Sequence, residues 1–417
     1  MENVRPADRV RRRSACASDR SQPRRGKGRT RPPPPPPHLL LHSLVTRLSC
    51  WYQVDFCFSV LLSLSLFLHT HTHTHTLAPL SVDKMVRTVQ LSTSVSIPQL
   101  GYGAMGLSQG YGKADDDTSR ETLRHAIKIG YNLWNTATVY GPDQHNEKLL
   151  GSVLREGDNR SKVIVTTKWG VKWDNGDLVT DGSPEFARQC IDQSIENLGS
   201  APDMWLLHRI DKKVPVEESV KAMEEARQAG KCKYIGLSAM SANTLRRAAK
   251  VAKIDFVEME FSPFETGIED SGVIDACKEL GVKIFAYSPL GHGFLTGRFR
   301  SFEDVLKDGD MRGSGAFPRF NKEVWDHNFK LVEALEKIAE KKGCKASQLA
   351  LAWAMQVHGN LIIPIPGTKS IKYLEENFAA NDVVLSQAEM DEIRKVIKEN
   401  PIKGAQYGEK FQALMDE

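Results

Sequence analysis

From Met85 onward, short apolar runs alternate with stretches whose apolar residues recur every three or four positions. Brief runs rich in Val, Ile, Leu, Tyr and Phe fit buried strands, and the amphipathic stretches fit helices laid over them. The strand-like runs are residues 100–104, 131–134, 163–167, 204–207, 234–237, 256–260, 283–287 and 361–364. Helical periodicity marks 119–129, 147–154, 184–198, 216–229, 242–252, 272–280, 330–342, 371–378 and 387–399. Eight strands alternating with helices predict one α/β domain, a single (β/α)8 TIM barrel, with the last helices lying beyond the eighth strand. Residues 88–97 read as an N-terminal hairpin that closes the bottom of the barrel. The longest irregular stretch, 291–325, follows the seventh strand; its Gly, Arg and Phe suit a loop that folds over a ligand.

Residues 1–84 break the pattern. Arg-rich sequence gives way to six prolines at 32–37, then to Leu-rich sequence and an alternating His-Thr tract at 69–76. The run 56–68 has 13 apolar or Ser residues, short of the roughly 20 needed to span a bilayer. It also lies too far from the N-terminus to be the apolar core of a signal peptide. A basic targeting segment and a weak metal-binding tract are two readings of this part. The preferred one is a spurious, low-complexity extension, because alternating His-Thr is what a CA repeat encodes. The folded domain is then 85–417.

Charge sharpens that division. Residues 1–31 hold ten Arg and one Lys against three acids, a net +8, while 32–84 balance. Of the overall +4, residues 85–417 therefore carry −4, which does not suit a nucleic-acid partner. The seven cysteines show no metal spacing, and the four after residue 84 fall in apolar segments, as reduced thiols of an intracellular protein do. After residue 84 no two histidines form an HxxxH or HExxH pair that would suggest a metal site.

Three polar side chains stand just past strand-like runs: Tyr140 in YNLWNTATVYG, Lys168 in KVIVTTKWG and His208 in MWLLHRID. Barrels of this kind hold their chemistry at the C-terminal ends of the strands. A phenol, an ammonium and an imidazole suit one task, which is delivering a proton to an oxygen. Singly, each has a plain alternative as rim packing, a solvated end or a satisfied core group. Three at successive strand ends favour chemistry. Asn135 ends the second run where a carboxylate is the natural partner for Lys168. Gly101–Gly106 matches GxGxxG, but the polar sequence LSQGYGKADDD follows instead of a helix, so a Rossmann reading fails.

With KYIGLS, AYSPLGHGFLTG and IPIPGTKSIKYLEEN, these segments resemble the aldo-keto reductases, NADPH-dependent carbonyl reductases built on a TIM barrel. The resemblance runs through residues 85–380, and six motifs in order make it specific. It implies a tetrad of Asp, Tyr, Lys and His, in which Asn135 replaces the Asp. Tyr140 is then the general acid, Lys168 its electrostatic support, and His208 the group that orients the substrate oxygen. Asn135 has two readings. One is a lost anion in a dead paralogue or nucleotide sensor. The other, preferred, is a subfamily mark, since Trp134-Asn135 ahead of Tyr140-Gly141 resembles fungal pyridoxal reductases. Residues 211–217, 256–262, 292–297 and 364–367 agree with that, Glu258 standing where many relatives have Gln.

The resemblance also implies a cradle for NADPH or NADP. Tyr287 would stack on the nicotinamide, and Ser288, Leu290 and Gly291 would pass under the pyrophosphate. Ser238 and Glu258 would meet the carboxamide, with Ala239 in place of a common Asn. Gly367, Thr368, Lys369 and Ser370 precede a helix and suit the 2′-phosphate, favouring NADP over NAD. A plain N-cap by Thr368 or Ser370 is compatible with this. Tyr373, where relatives often place Arg, would stack on adenine, and Glu376 and Asn377 would read its edge. Met105, Trp134, Trp169, Trp173 and Met240 either wall a flat aromatic aldehyde or pack the rim.

The expectation is a cytoplasmic aldo-keto reductase, with the nucleus also open to it. It reversibly reduces an aldehyde partner, pyridoxal, to pyridoxine, and has no membrane partner unless residues 1–84 supply one. A broad-specificity aldehyde reductase and an NADPH-binding regulatory subunit with little turnover are the alternatives.

Overall fold

The computed structural model describes residues 86–416 apart from residue 308; the extension expected over 1–84 lies outside the described residues. A first hairpin pairs β1 (Thr88–Ser92) with β2 (Val95–Pro98). There follow β3 (Tyr102–Gly103), β4 (Leu133–Asn135) and β5 (Ile164–Trp169), then a second hairpin of β6 (Val171–Asp174) and β7 (Asp177–Thr180). The remaining strands are β8 (Met204–Leu207), β9 (Tyr234–Ser238), β10 (Phe256–Glu260), β11 (Lys283–Tyr287) and β12 (Ile362–Pro364). Outside the two hairpins, eight strands join in parallel in chain order.

The sheet then closes on itself. Gly103 and Gly367 form a parallel bridge, and the amides of Gly101 and Gly103 donate to Pro364 O (2.9 Å) and Pro366 O (3.1 Å). Closure needs bare backbone: a Cβ on Gly103 would stand 2.7 Å from Ile365 O, and one on Gly367 the same distance from Gly103 O. The result is a (β/α)8 barrel.

Strand alternation sorts the barrel interior into layers. Leu133, Met204, Leu206, Phe256, Phe285, Ile363 and Ile365 form one apolar cluster with Val89, Leu91 and Ile97, so the first hairpin plugs the barrel. One step of two residues further along, the positions of the same parity turn polar: Asn135 after Leu133, Glu258 after Phe256, Tyr287 after Phe285. An apolar floor thus carries a polar upper layer.

The helices are α1 (Asp116–Lys128), α2 (His145–Leu154), α3 (Asn159–Lys162), α4 (Pro184–Leu198), α5 (Val216–Gln228), α6 (Ala242–Ala249), α7 (Val273–Leu280), α8 (Lys322–Lys342), α9 (Ala346–Gln356), α10 (Ile371–Phe378), α11 (Gln387–Glu399) and α12 (Glu409–Gln412). Asp115, Ser183, Ser241 and Ser386 accept from the amides three residues on, starting α1, α4, α6 and α11.

Two elements depart from the sequence reading. Helix α9 was not expected, because ASQLALAWAMQ is buried nearly all round and so shows no polar face to mark a period. It packs on β12, while α8, which starts at Lys322 rather than 330, lies outside against α9 and α11. The second hairpin turns at Asn175-Gly176 (φ 50° and 89°), a pair suited to a tight turn. Its exposed first strand, buried only at Val171, hid the alternation. The long insert is built on buried aromatics: Phe294 meets Phe320 and Trp325 edge-on, with centroids 5.3 and 5.0 Å apart.

Candidate active site

Asn135, Lys168 and Glu258 come from β4, β5 and β10, and all three are buried in the polar layer. Lys168 Nζ donates to Asn135 Oδ1 (2.6 Å), Thr136 O (3.0 Å) and Tyr140 Oη (3.0 Å). It also lies 3.3 Å from Glu258 Oε1. Asn135 Nδ2 donates to Glu258 Oε2 at 2.8 Å, completing a closed triangle of side chains.

Tyr140 ends a turn after β4: its amide donates to Ala137 O (3.2 Å), and the Thr138 amide donates to Lys168 O (3.0 Å). Gly141, at φ 78°, turns the chain away there, and its amide donates to Gln109 Oε1 at 2.7 Å. A Cβ on it would meet Ser108 Cβ at 3.0 Å. His208 stands edge-on to the Tyr140 ring, with centroids 5.7 Å apart. Burial, with the positive charges of Arg209 and Lys168, holds the His208 imidazole well below its ordinary titration range. It is therefore neutral near pH 7 and can donate or accept a hydrogen bond, but it is a poor proton source.

Around this centre the rim carries strained backbone. Ala239, Ser288 and His292 adopt φ of 50°, 48° and 52°, just past β9 and β11, a conformation that non-glycine residues hold only when their surroundings impose it. Ser238 is buried at the end of β9, 3.4 Å from Arg209 Nη1. Leu290 and Gly291 are buried beside Phe264. Tyr287 ends β11, with its hydroxyl 3.0 Å from that of Tyr407.

The eighth loop positions its cation. Lys369 Nζ donates to three carbonyls, Tyr111 O (2.9 Å), Gly112 O (3.1 Å) and Lys113 O (2.6 Å), and burial lowers its titration range. Ser370 leaves the start of α10 without a side-chain cap. An ammonium hydrogen-bonded to neutral carbonyls, beside a helix start with no side-chain cap, fits a phosphate group. Thr368 accepts from Tyr102 Oη through its carbonyl, and Gly367 serves barrel closure. Tyr373 lies under the Arg298 guanidinium, 4.1 Å from the ring centre. Glu376 accepts from Ser347 in α9, and Asn377 is buried.

The aromatic wall needs correcting. Trp134, Trp169 and Met240 belong to the core between barrel and helices, with Trp169 stacked on Trp205 at 5.3 Å. Strand parity turns the two tryptophans outward, and Met240 lies just past β9. Met105 does pack beside Tyr140, and Trp173 is 55% exposed on the second hairpin.

The sequence reading missed four residues near the centre. Arg209 reaches back over the rim, 5.9 Å from the Tyr287 ring centre. Glu260, two residues past Glu258 and of the same parity, accepts from Gln406 (2.6 Å) and Tyr407 (2.8 Å). His292 lies 2.9 Å from Tyr111 Oη and 3.5 Å from Glu260 Oε1. Parity would have found Glu260, but nothing in the local sequence announces that Tyr407 returns to the rim.

This geometry agrees with the comparisons. A family model described as "Aldo/keto reductase family" matches residues 99–398. The chain is 38% identical over 317 residues to "Aldo-keto reductase yakc [NADP(+)]" of Schizosaccharomyces pombe, covering 75% of this chain and 92% of that one. It is 35% identical over 327 residues to "Probable aldo-keto reductase 1" of Glycine max, covering 77% and 92%. In fold it is similar to the glycerol dehydrogenase of Gluconobacter oxydans, with TM-score 0.68 and 24% identity, over 76% of this chain and 97% of that one. The chain belongs to the aldo/keto reductase family, and is an oxidoreductase of a family that uses NADP(H).

Proposed function

We propose that the protein is an NADPH-dependent aldehyde reductase in which Tyr140 is the proton donor. The observation that carries this is the 3.0 Å contact of Lys168 Nζ with Tyr140 Oη in a buried layer, beside a neutral His208. When bound, the nicotinamide supplies a hydride to the carbonyl carbon. Tyr140 Oη passes its proton to the carbonyl oxygen, and the charge left on the phenol faces the Lys168 ammonium. His208 hydrogen-bonds the same oxygen and sets its direction. Lys369 and the start of α10 would hold a phosphate of the cofactor, with Ser288, Leu290 and Gly291 beneath the pyrophosphate and Ser238 near the carboxamide.

The substrate we assign is pyridoxal, reduced reversibly to pyridoxine. Two features support it: the Trp134-Asn135 pattern, and Arg209 at the mouth. Among the described residues Arg209 has only the His208 carbonyl (2.7 Å) and Ser238 as hydrogen-bond partners. A phenolate oxygen next to the reacting aldehyde suits that guanidinium. Four free thiols, at Cys190, Cys232, Cys277 and Cys344, support a reducing compartment such as the cytosol. The test compares kcat/KM for pyridoxal and 4-nitrobenzaldehyde in wild type and Arg209→Leu. A wild-type preference for pyridoxal that the variant loses is expected. Equal values, or a preference untouched by the variant, contradict the assignment.

A further inference from the structure

The catalytic lysine of this chain takes its negative charge from the opposite side of the barrel. Lys168 Nζ and Asn135 come from adjacent strands, but Asn135 is neutral and offers only its amide oxygen, at 2.6 Å. Among the described residues, Glu258 is the one carboxylate within ion-pair distance of Lys168, at 3.3 Å. The two side chains are 0% and 3% exposed, so water does not screen the pair. The other buried acids nearby are engaged elsewhere. Glu147 accepts from Thr167 and Asn197 (3.0 Å), and Glu260 serves Gln406 and Tyr407. Asn135 is oriented by both partners, accepting from the ammonium and donating to Glu258 Oε2 at 2.8 Å.

We infer that Glu258 is a positioning residue for proton transfer: it is the counter-ion that keeps the Lys168 ammonium under Tyr140, with Asn135 bridging the two. Both Glu258 oxygens are thereby engaged, which departs from the carboxamide role expected of it. The position that lacks an anion and the position that gained one form a single exchanged pair.

The kinetic arm of the test rests on the reductase reading; a second arm does not. Glu258→Gln is expected to lower kcat about 100-fold, the lower end of what a positioned proton donor contributes, and to leave KM for NADPH within about twofold. The alkaline limb of its pH–rate profile should move to lower pH, because a buried ammonium without its anion gives up its proton sooner. Asn135→Asp alone brings two carboxylates together and should be slower than wild type. The double variant Asn135→Asp/Glu258→Gln restores one anion and should recover most of the rate.

A Glu258→Gln enzyme with wild-type kcat and pH profile overturns the inference. So does a loss confined to the KM for NADPH, or a double variant no better than the single. If Glu258→Gln does not fold, a folded, active double variant supports the exchange and an unfolded one overturns it. If wild type reduces no aldehyde at all, the reductase reading fails and the second arm decides. That arm titrates the Tyr140 phenolate by ultraviolet difference against Tyr140→Phe. A move to lower pH in Glu258→Gln, where the anion beside the coupled ammonium and phenol is gone, reversed in the double variant, supports the inference, and an unmoved titration overturns it.

Discussion

The Arg298 guanidinium lies over the Tyr373 ring, 4.1 Å from its centre. A cation from the loop after β11 thus reaches the place on α10 where the family resemblance leads one to look for an arginine. Lys369, four residues before Tyr373, supplies a second cation. Replacing both Arg298 and Lys369 by Ala is expected to raise the KM for NADPH at least about tenfold, or ~1.4 kcal/mol, with little change for NADH. Steady-state kinetics with the two cofactors checks this. Equal losses contradict a role at the 2′-phosphate.

The loops after β3 and β11 are clasped together. Tyr111 and Asp310 form an antiparallel bridge, and Gly112 N donates to Gly309 O at 2.9 Å. Arg312 covers the Tyr111 ring across the clasp (5.3 Å) and braces its own loop by pairing with Asp310, donating to His292 O (3.0 Å) and covering Phe299 at 4.2 Å. Both ends of the pair are buried, so breaking it leaves a carboxylate uncompensated. Arg312→Ala should cost about 3 kcal/mol, read as a lower urea midpoint. An unchanged midpoint would mean that the pair only decorates the loop.

His208 makes stability depend on pH with a definite sign. Its folded-state titration range is depressed, chiefly by burial, from the ordinary 6.5. Below about pH 6.5 the unfolded chain binds a proton that the folded one refuses. Stability from this group is therefore complete above that range and falls as the pH drops through it. His208→Gln should narrow the gap between urea midpoints at pH 7.5 and 5.5; an identical gap in the variant contradicts the assignment.

Barrel closure rests on contacts too close for a side chain. Gly367→Ala would put a Cβ 2.7 Å from Gly103 O, and about 2 kcal/mol of strain is expected. Loss of amide protection at Gly101 and Gly103 in hydrogen exchange would accompany it. Protection equal to wild type would show that the seam accommodates a methyl group.

Much of this was legible in the sequence, because period-two strands and period-3.6 helices leave plain marks. Met204–Leu207, Phe256–Glu260 and Lys283–Tyr287 fall where apolar runs put them. Helix α9 escaped because burial on all sides erases the period, and Trp134 and Trp169 were misplaced because nearness to a strand end was weighed above strand parity. Tyr140, Lys168 and His208 could be found because each lies at or shortly past the end of a different strand. The Lys168–Glu258 pair could not be read that way, since residues 90 positions apart meet only when the barrel closes.

Reduction driven through Tyr140 is the central claim, and loss of one oxygen atom tests it. NADPH oxidation with pyridoxal should be rapid in wild type. In Tyr140→Phe, kcat should fall at least about 100-fold while NADPH still binds with wild-type affinity. A Phe variant that turns over pyridoxal at the wild-type rate would contradict the account.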